Sequence, residues 1–158
     1  MDLESILLPE KVVTFDFPGC EGFKVDLAFL SKETNQSIFK KCRKTKFNTK
    51  TRQAEEEFDD ELFLELYVGA IIKGWTGFKM KHLNELVLAD VGQDPEKEVD
   101  YSERNALTLM KSSVIFDNWV SEVISDIGNF TQNNSTKKFK DSKATSKSKD
   151  QGSVKSST

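Results

Sequence analysis

The chain has 158 residues, of which 37% are hydrophobic and 31% are charged, so it suits one globular domain with a strongly charged surface. No apolar run approaches the length of about 18 residues that a membrane-spanning helix needs, and the acidic start Met1–Glu4 is not followed by the apolar h-region of a signal peptide. The two cysteines, Cys20 and Cys42, have neither metal-ligand spacing nor the numbers of a disulfide framework. These features argue against a membrane helix and a signal peptide and predict a cytoplasmic protein.

The net charge of −3 conceals a separation of charges along the chain. Residues 129–158 contain seven lysines and two aspartates and carry +5, so the first 128 residues carry −8. Large apolar residues are nearly absent from residues 131–158, which are rich in Lys, Ser and Thr. Such a segment buries too little surface to offset the entropy of ordering it. We therefore predict a folded domain over residues 1–130 and a disordered tail over residues 131–158.

The folded domain begins with a predicted β-hairpin over residues 12–29. Val13, Phe15 and Phe17 alternate with polar residues before a Pro/Gly turn at residues 18–22, and apolar residues alternate again from Phe23 to Phe29. Alternation with period two on both sides of such a turn is typical of a hairpin. Both strands place aromatic side chains on one face, so this face must pack against helices.

Five helices are predicted after the hairpin. Ser31 has the position of an N-cap, and the acidic residues 55–61 suit the first turn of a long helix that ends at Lys73 and Gly74. The last three turns of this helix are apolar on most sides, so we expect it to be the central, most buried helix. Ser112 and Ser113 separate the last two helices, whereas the basic stretch 40–52 contains Thr and Asn and favours a loop. The predicted helices cover residues 32–43, 54–74, 80–88, 102–111 and 115–127. The fold class is therefore α+β, a hairpin packed on a mainly helical domain of four to five helices.

No residue pattern predicts catalysis, a metal site or a cofactor. The single histidine, His82, has no nucleophile nearby, and consecutive carboxylates at 55–61 would point around a helix rather than into one coordination sphere. No glycine-rich phosphate loop occurs. The acidic neighbours of the basic run 40–52 would repel nucleic acid, so a salt contact within the chain or with a partner is the better interpretation. The sequence thus predicts a protein that binds and is not an enzyme.

Three motifs in order resemble the tail assembly chaperones of long-tailed bacteriophages. They are a strand and cap at Gly22–Ser31, a "W-x-G" turn at Trp75–Gly77 that follows an apolar helix, and a "(V/F)-x-(Y/F)-S-x-E-N-A-x-x-L" stretch at residues 99–110, followed by a terminal helix with Phe116 and Trp119. Arg104 replaces the usual Glu before Asn105. The resemblance covers about residues 10–130.

This resemblance implies a protein of the host cytoplasm that binds the tape measure protein, keeps it soluble, promotes assembly of the tail tube and is absent from the mature virion. The acidic body suggests an apolar groove rimmed by carboxylates that receives helical segments of the tape measure protein. Two other classes of binding protein stay open. One is a structural tail or connector subunit of the virion, and the other is the small secreted WXG family, against which the chain length and the hairpin at 12–29 argue.

The resemblance also implies a longer product made by ribosomal frameshifting, whose extension recruits the tail tube protein. Lys137 and Lys138 follow the predicted body, and a Lys-Lys pair can be encoded by an A-rich slippery heptamer. We therefore expect a slip near these codons, which the nucleotide sequence tests directly. A gene with no slippery heptamer between codons 129 and 158 and no overlapping downstream frame would contradict this expectation.

Overall fold

A four-stranded sheet is the base of the fold. The computed structural model describes residues 1–8, 10–90, 92, 94–131 and 136–138. The strands of the sheet are β1 (Val12–Asp16), β2 (Lys24–Ala28), β5 (Ile72–Thr76) and β6 (Thr136–Lys138). The predicted hairpin is confirmed, with β1 and β2 antiparallel around a loop that the Phe17 N–H closes by donating to the Phe23 carbonyl over 2.8 Å. The sheet order is β5-β2-β1-β6, with β5 antiparallel to β2 and β6 parallel to β1.

Six α-helices, a separate two-stranded ribbon and a short 3-10 helix at Glu4–Ile6 complete the described part of the chain. Ser31, Ser102 and Ser113 each accept a hydrogen bond from a first-turn backbone N–H, so serine caps begin three of the helices. No helix among the described residues combines the length and the apolarity that crossing a bilayer requires. The helices are α1 (Lys32–Cys42), α2 (Asp60–Ile71), α3 (Met80–Leu86), α4 (Glu103–Ser112), α5 (Val114–Ser125) and α6 (Gly128–Thr131), and the ribbon strands are β3 (Arg43–Asn48) and β4 (Gln53–Phe58).

The core lies between the apolar face of the sheet and α5. Phe17 contacts Trp119 edge-on at 4.8 Å between ring centroids, and Phe15 meets Phe130 at 5.5 Å. Among the described helices, α5 has the largest number of buried side chains, namely Phe116, Trp119, Val120, Val123 and Ile124. The prediction that the helix after the acidic block is the most buried one is therefore wrong, because only Val68 and Ile71 of α2 are fully buried.

The predicted helix over residues 54–74 is also wrong at both ends. Its acidic start forms β4, and its end forms β5, so only residues 60–71 are helical. The Asp59 side chain accepts from the Leu62 N–H and caps α2, which places the preceding glutamates outside the helix. At the other end, the backbone of Ile72–Thr76 pairs with β2, and sheet pairing replaces the last helical turn.

The basic stretch was expected to be a loop, yet residues 43–48 form β3, antiparallel to β4. The register places Lys44 opposite Glu57 and Lys46 opposite Glu55. Opposite charges that face each other across two strands stabilise the pairing. The interpretation that this run makes a salt contact within the chain agrees with the Lys44–Asp59 ion pair of 3.0 Å.

The other predicted boundaries differ from the structure in smaller ways. The helices predicted at 32–43, 80–88, 102–111 and 115–127 correspond to α1, α3, α4 and α5, with ends shifted by one or two residues. Within the predicted disordered tail, residues 136–138 form β6, so Lys137 and Lys138 lie on a strand beside β1. Residues 132–135 and 139–158 of that tail lie outside the described residues.

Gly77 brings the turn after β5 against the hairpin loop. Its φ is +70°, and a Cβ placed there would lie 2.0 Å from the carbonyl oxygen of Gly22. Gly22 also has a positive φ of +83°, so two glycines allow the two turns to touch. The glycine of the "W-x-G" motif is therefore required by backbone contact.

We expect G77A to destabilise the protein by about 2 kcal/mol or more, because it adds a clash with backbone to an unfavourable φ. The matched control is G19A, whose φ is +88° but whose added Cβ would meet nothing within 4 Å. This control bears only the backbone strain, about 1–2 kcal/mol. Urea unfolding of both variants tests the point, and equal losses of stability would contradict the contact-based explanation.

Candidate functional site

The histidine and the two cysteines are buried side chains. His82 is 4% exposed, stacks on Phe23 and accepts a hydrogen bond from the Lys79 N–H at Nδ1 over 3.2 Å. This bond and the ring packing give the histidine a structural role at the start of α3. Among the described residues, His82 makes no hydrogen bond or ring contact with a cysteine or a serine.

Both cysteines are free and buried. Burial, together with a hydrogen bond from Sγ to Glu85, raises the pKa of Cys20 to about 12. Burial likewise raises the pKa of Cys42, with the nearby Asp59 carboxylate adding to the effect. A raised pKa keeps each thiol protonated and unreactive. Within the described residues, no three His, Cys, Asp or Glu side chains come together in a way that would hold a metal ion.

An open groove of about 1360 Å³ lies between α1, α2 and α4. This groove, which we call the α1–α2–α4 groove, exceeds the range of about 300–1,000 Å³ that is typical of small-molecule pockets. Its floor is apolar and is formed by Ile38, Leu66, Val68, Ala70, Ala106 and Leu107. Leu7 and Leu8 of the N-terminal segment form part of one wall and are themselves largely exposed.

The rim of this groove carries charges of both signs. Three carboxylates and three cations line it, namely Glu33, Glu65, Glu103, Lys32, Lys41 and Arg104. Across the part of the chain that the structure describes, none of these six side chains forms an ion pair. The expectation of a rim of carboxylates is therefore corrected to a mixed rim. Because their charges are unpaired, these groups are available to a partner.

Gly69 lies on the side of α2 that faces the groove. A glycine inside a helix costs about 1 kcal/mol relative to alanine, yet a Cβ at Gly69 would meet nothing within 4 Å. Packing within the described chain therefore does not require this glycine. Its effect is to leave the groove open where α2 passes along it.

Two of the three motifs, the "W-x-G" turn and the stretch that begins at Val99, contact each other and hold the groove wall in place. The Trp75 Nε1–H donates to the Val99 carbonyl over 2.8 Å, and the Tyr101 hydroxyl donates to the Ile72 carbonyl over 3.1 Å. The two rings meet edge-on at 5.3 Å. Burial, with a smaller effect of Glu103, raises the pKa of Tyr101, so its hydroxyl stays a donor. We call this pair of contacts the Trp75–Tyr101 clasp, and it sets the position at which α4 begins.

The segment before the clasp is fixed to α3 by an ion cluster. Glu96 accepts from Lys79 over 2.7 Å and from Lys81 over 2.9 Å. Hydrogen bonds to these two lysines lower the pKa of Glu96 to about 2. The Met80 and Lys81 backbone N–H groups also donate to carbonyls of this segment. The chain therefore enters the clasp from a fixed direction.

These features of the site can be compared with known proteins. The family model described as YdaY prophage protein matches residues 30–141, which is more than half of the chain. No curated protein matches the chain. No solved structure matches it either. The matched region contains the Trp75–Tyr101 clasp and the three helices that form the groove.

We expect the Glu96 cluster to stabilise the fold in a pH-dependent way. Folding lowers the pKa of the Glu96 carboxyl from an ordinary value of 4.5 to about 2. The stability that its contacts with the two lysines contribute is therefore complete above pH 4.5 and is lost as the pH falls through about 2. Urea unfolding should therefore show E96Q less stable than wild type at pH 7, with the difference shrinking toward pH 2. In a K79M/K81M background, E96Q should produce no such pH-dependent difference. A difference of constant size from pH 7 to pH 2 would contradict the assignment.

Proposed function

The chain belongs to the YdaY prophage protein family and is therefore phage-derived, and on that premise we propose that it is a tail assembly chaperone. It binds helical segments of the tape measure protein, keeps that protein soluble in the host cytoplasm and promotes assembly of the tail tube. It acts by binding, without a catalytic step, and is absent from the mature virion. A longer, frameshifted form contacts the tail tube protein.

One observation carries this proposal, namely the α1–α2–α4 groove with its apolar floor and its six unpaired rim charges. An amphipathic helix binds such a groove by laying its apolar face on the floor. The 12 residues of α2 give that wall a length of about 18 Å, which corresponds to about three turns of a bound helix. The rim charges of both signs then meet polar side chains at the edges of that helix.

The position of the resemblance motifs supports the same proposal. Ser102, Asn105, Ala106 and Leu107 belong to the motif that begins at Val99, and two of them, Ala106 and Leu107, line the groove. Ser102 caps α4, and Asn105 donates from its side chain to the Asp100 carbonyl over 2.9 Å. The motif thus combines residues that fix the beginning of α4 with residues that form the groove floor.

Co-expression with the tape measure protein from the same phage genome tests the proposal. We expect the chaperone to raise the soluble fraction of the tape measure protein and to co-purify with it. G69W fills the groove with a side chain for which the fold has space, and we expect it to weaken binding at least about tenfold, or about 1.4 kcal/mol. The matched control is N118W, on an exposed position of α5 outside the groove, which should bind like wild type.

Three outcomes would contradict this proposal. In the first, the tape measure protein is equally soluble when expressed alone. In the second, G69W and N118W bind the tape measure protein equally well while both stay folded by circular dichroism. The third is the presence of the chain in purified particles by mass spectrometry, which would indicate a structural tail or connector subunit instead.

A further inference from the structure

The β3–β4 ribbon extends from the body with both of its edges uncovered. Eleven of its twelve residues are exposed, and Asn48 alone is half-buried. At the base of the ribbon the Arg43 N–H donates to the Phe39 carbonyl of α1, but among the described residues neither ribbon strand pairs with a third strand. An isolated two-stranded hairpin is marginally stable in water, and its free edges are templates for pairing with another chain.

Charge is sorted by strand within this ribbon. Arg43, Lys44 and Lys46 are on β3, whereas Glu55, Glu56 and Glu57 are on β4. One long edge of the ribbon is therefore basic and the other is acidic. Two basic edges or two acidic edges repel each other, which blocks pairing of like edges between two copies. A basic edge and an acidic edge attract.

The strand directions permit this pairing of unlike edges. Since β3 and β4 are antiparallel, a second ribbon in the same orientation places its β3 antiparallel to the β4 of the first. If the register inside the ribbon repeats between copies, the second copy's Lys44 faces Glu57 and its Lys46 faces Glu55. On the opposite face, its Phe47, which is 63% exposed, comes to lie beside Ala54.

We propose that copies of this chain associate head to tail through the ribbon, with the basic β3 edge of one copy on the acidic β4 edge of the next. The contact is heterologous, because each copy offers a different edge to each neighbour. It therefore produces chains or rings rather than a closed two-fold dimer. This inference does not depend on the groove or its ligand, and the purified protein alone tests it.

Sedimentation of the purified full chain is the first measurement. We expect an average mass that rises above 17.9 kDa with protein concentration and falls toward it in high salt. Salt acts because the Debye length shortens from about 10 Å at 0.1 M to about 3 Å at 1 M. A chain that stays monomeric at every concentration overturns the proposal.

A charge-swapped ribbon distinguishes contacts between copies from contacts within one copy. The variant K44E/K46E/E55K/E57K reverses the charge of both edges and keeps opposite charges facing each other across the ribbon. An added D59N prevents repulsion between Asp59 and the new glutamate at position 44, and it keeps a side chain that can cap α2. We expect this variant to self-associate like wild type but to be excluded from wild-type oligomers. Energy transfer between two labelled preparations measures this mixing, and K111E/E122K, a charge swap on exposed positions of α4 and α5, is the matched control that should mix freely.

The mixing experiment shows whether the ribbon charges act between copies or only within one copy. Exclusion of the charge-swapped variant, with free mixing of the control, supports association through the ribbon edges. Free mixing of both variants places the contact elsewhere and overturns the proposal, as does loss of self-association by a charge-swapped variant whose circular dichroism matches wild type.

Discussion

The rest of the structure depends on the hydrogen bond from the Trp75 indole to the Val99 carbonyl. Trp75 lies on β5, an edge strand of the sheet, and Val99 precedes α4, the helix that forms one wall of the groove. A buried indole N–H needs a partner, and a carbonyl of the loop before α4 supplies it. The return bond from Tyr101 to Ile72 fixes the same two segments at a second point. Sheet, loop and groove wall therefore have one relative position rather than several.

This constraint explains why residues far apart in the chain act together in the groove. The groove combines α1, α2 and α4 with Leu7 and Leu8 of the N-terminal segment. Each of these helices presents an incomplete apolar stripe, and the described chain leaves the space between them open. Fixed walls around an open apolar floor reduce the ordering that a bound helix must impose, and such preorganisation favours binding. The family membership shows a phage-derived protein, and the proposed binding of a helix rests on the shape of the groove.

Short sequence patterns correctly predicted the elements that depend on residues close together in the chain. The alternation around the Pro/Gly turn identified the hairpin, and Ser31 and Ser113 marked helix starts that the structure contains. The glutamates of β4 were misread as a helix start because their strand pairing depends on lysines about ten residues away. In the same way β5 continues an apolar helix in sequence, and only its pairing with the distant β2 makes it a strand. No periodicity predicts the groove, because its floor exists only once three helices have packed.

The parallel pairing of β6 with β1 joins residues more than 120 positions apart, such as Thr14 and Thr136. Contacts between such distant residues form late, because closing a long loop costs entropy before the pairing is gained. During synthesis the β1 edge therefore stays unpaired until nearly the whole described chain has left the ribosome. An open strand edge in a nascent chain is a site for aggregation. The order of synthesis thus leaves the first strand exposed longest, and the last described strand is the one that covers it.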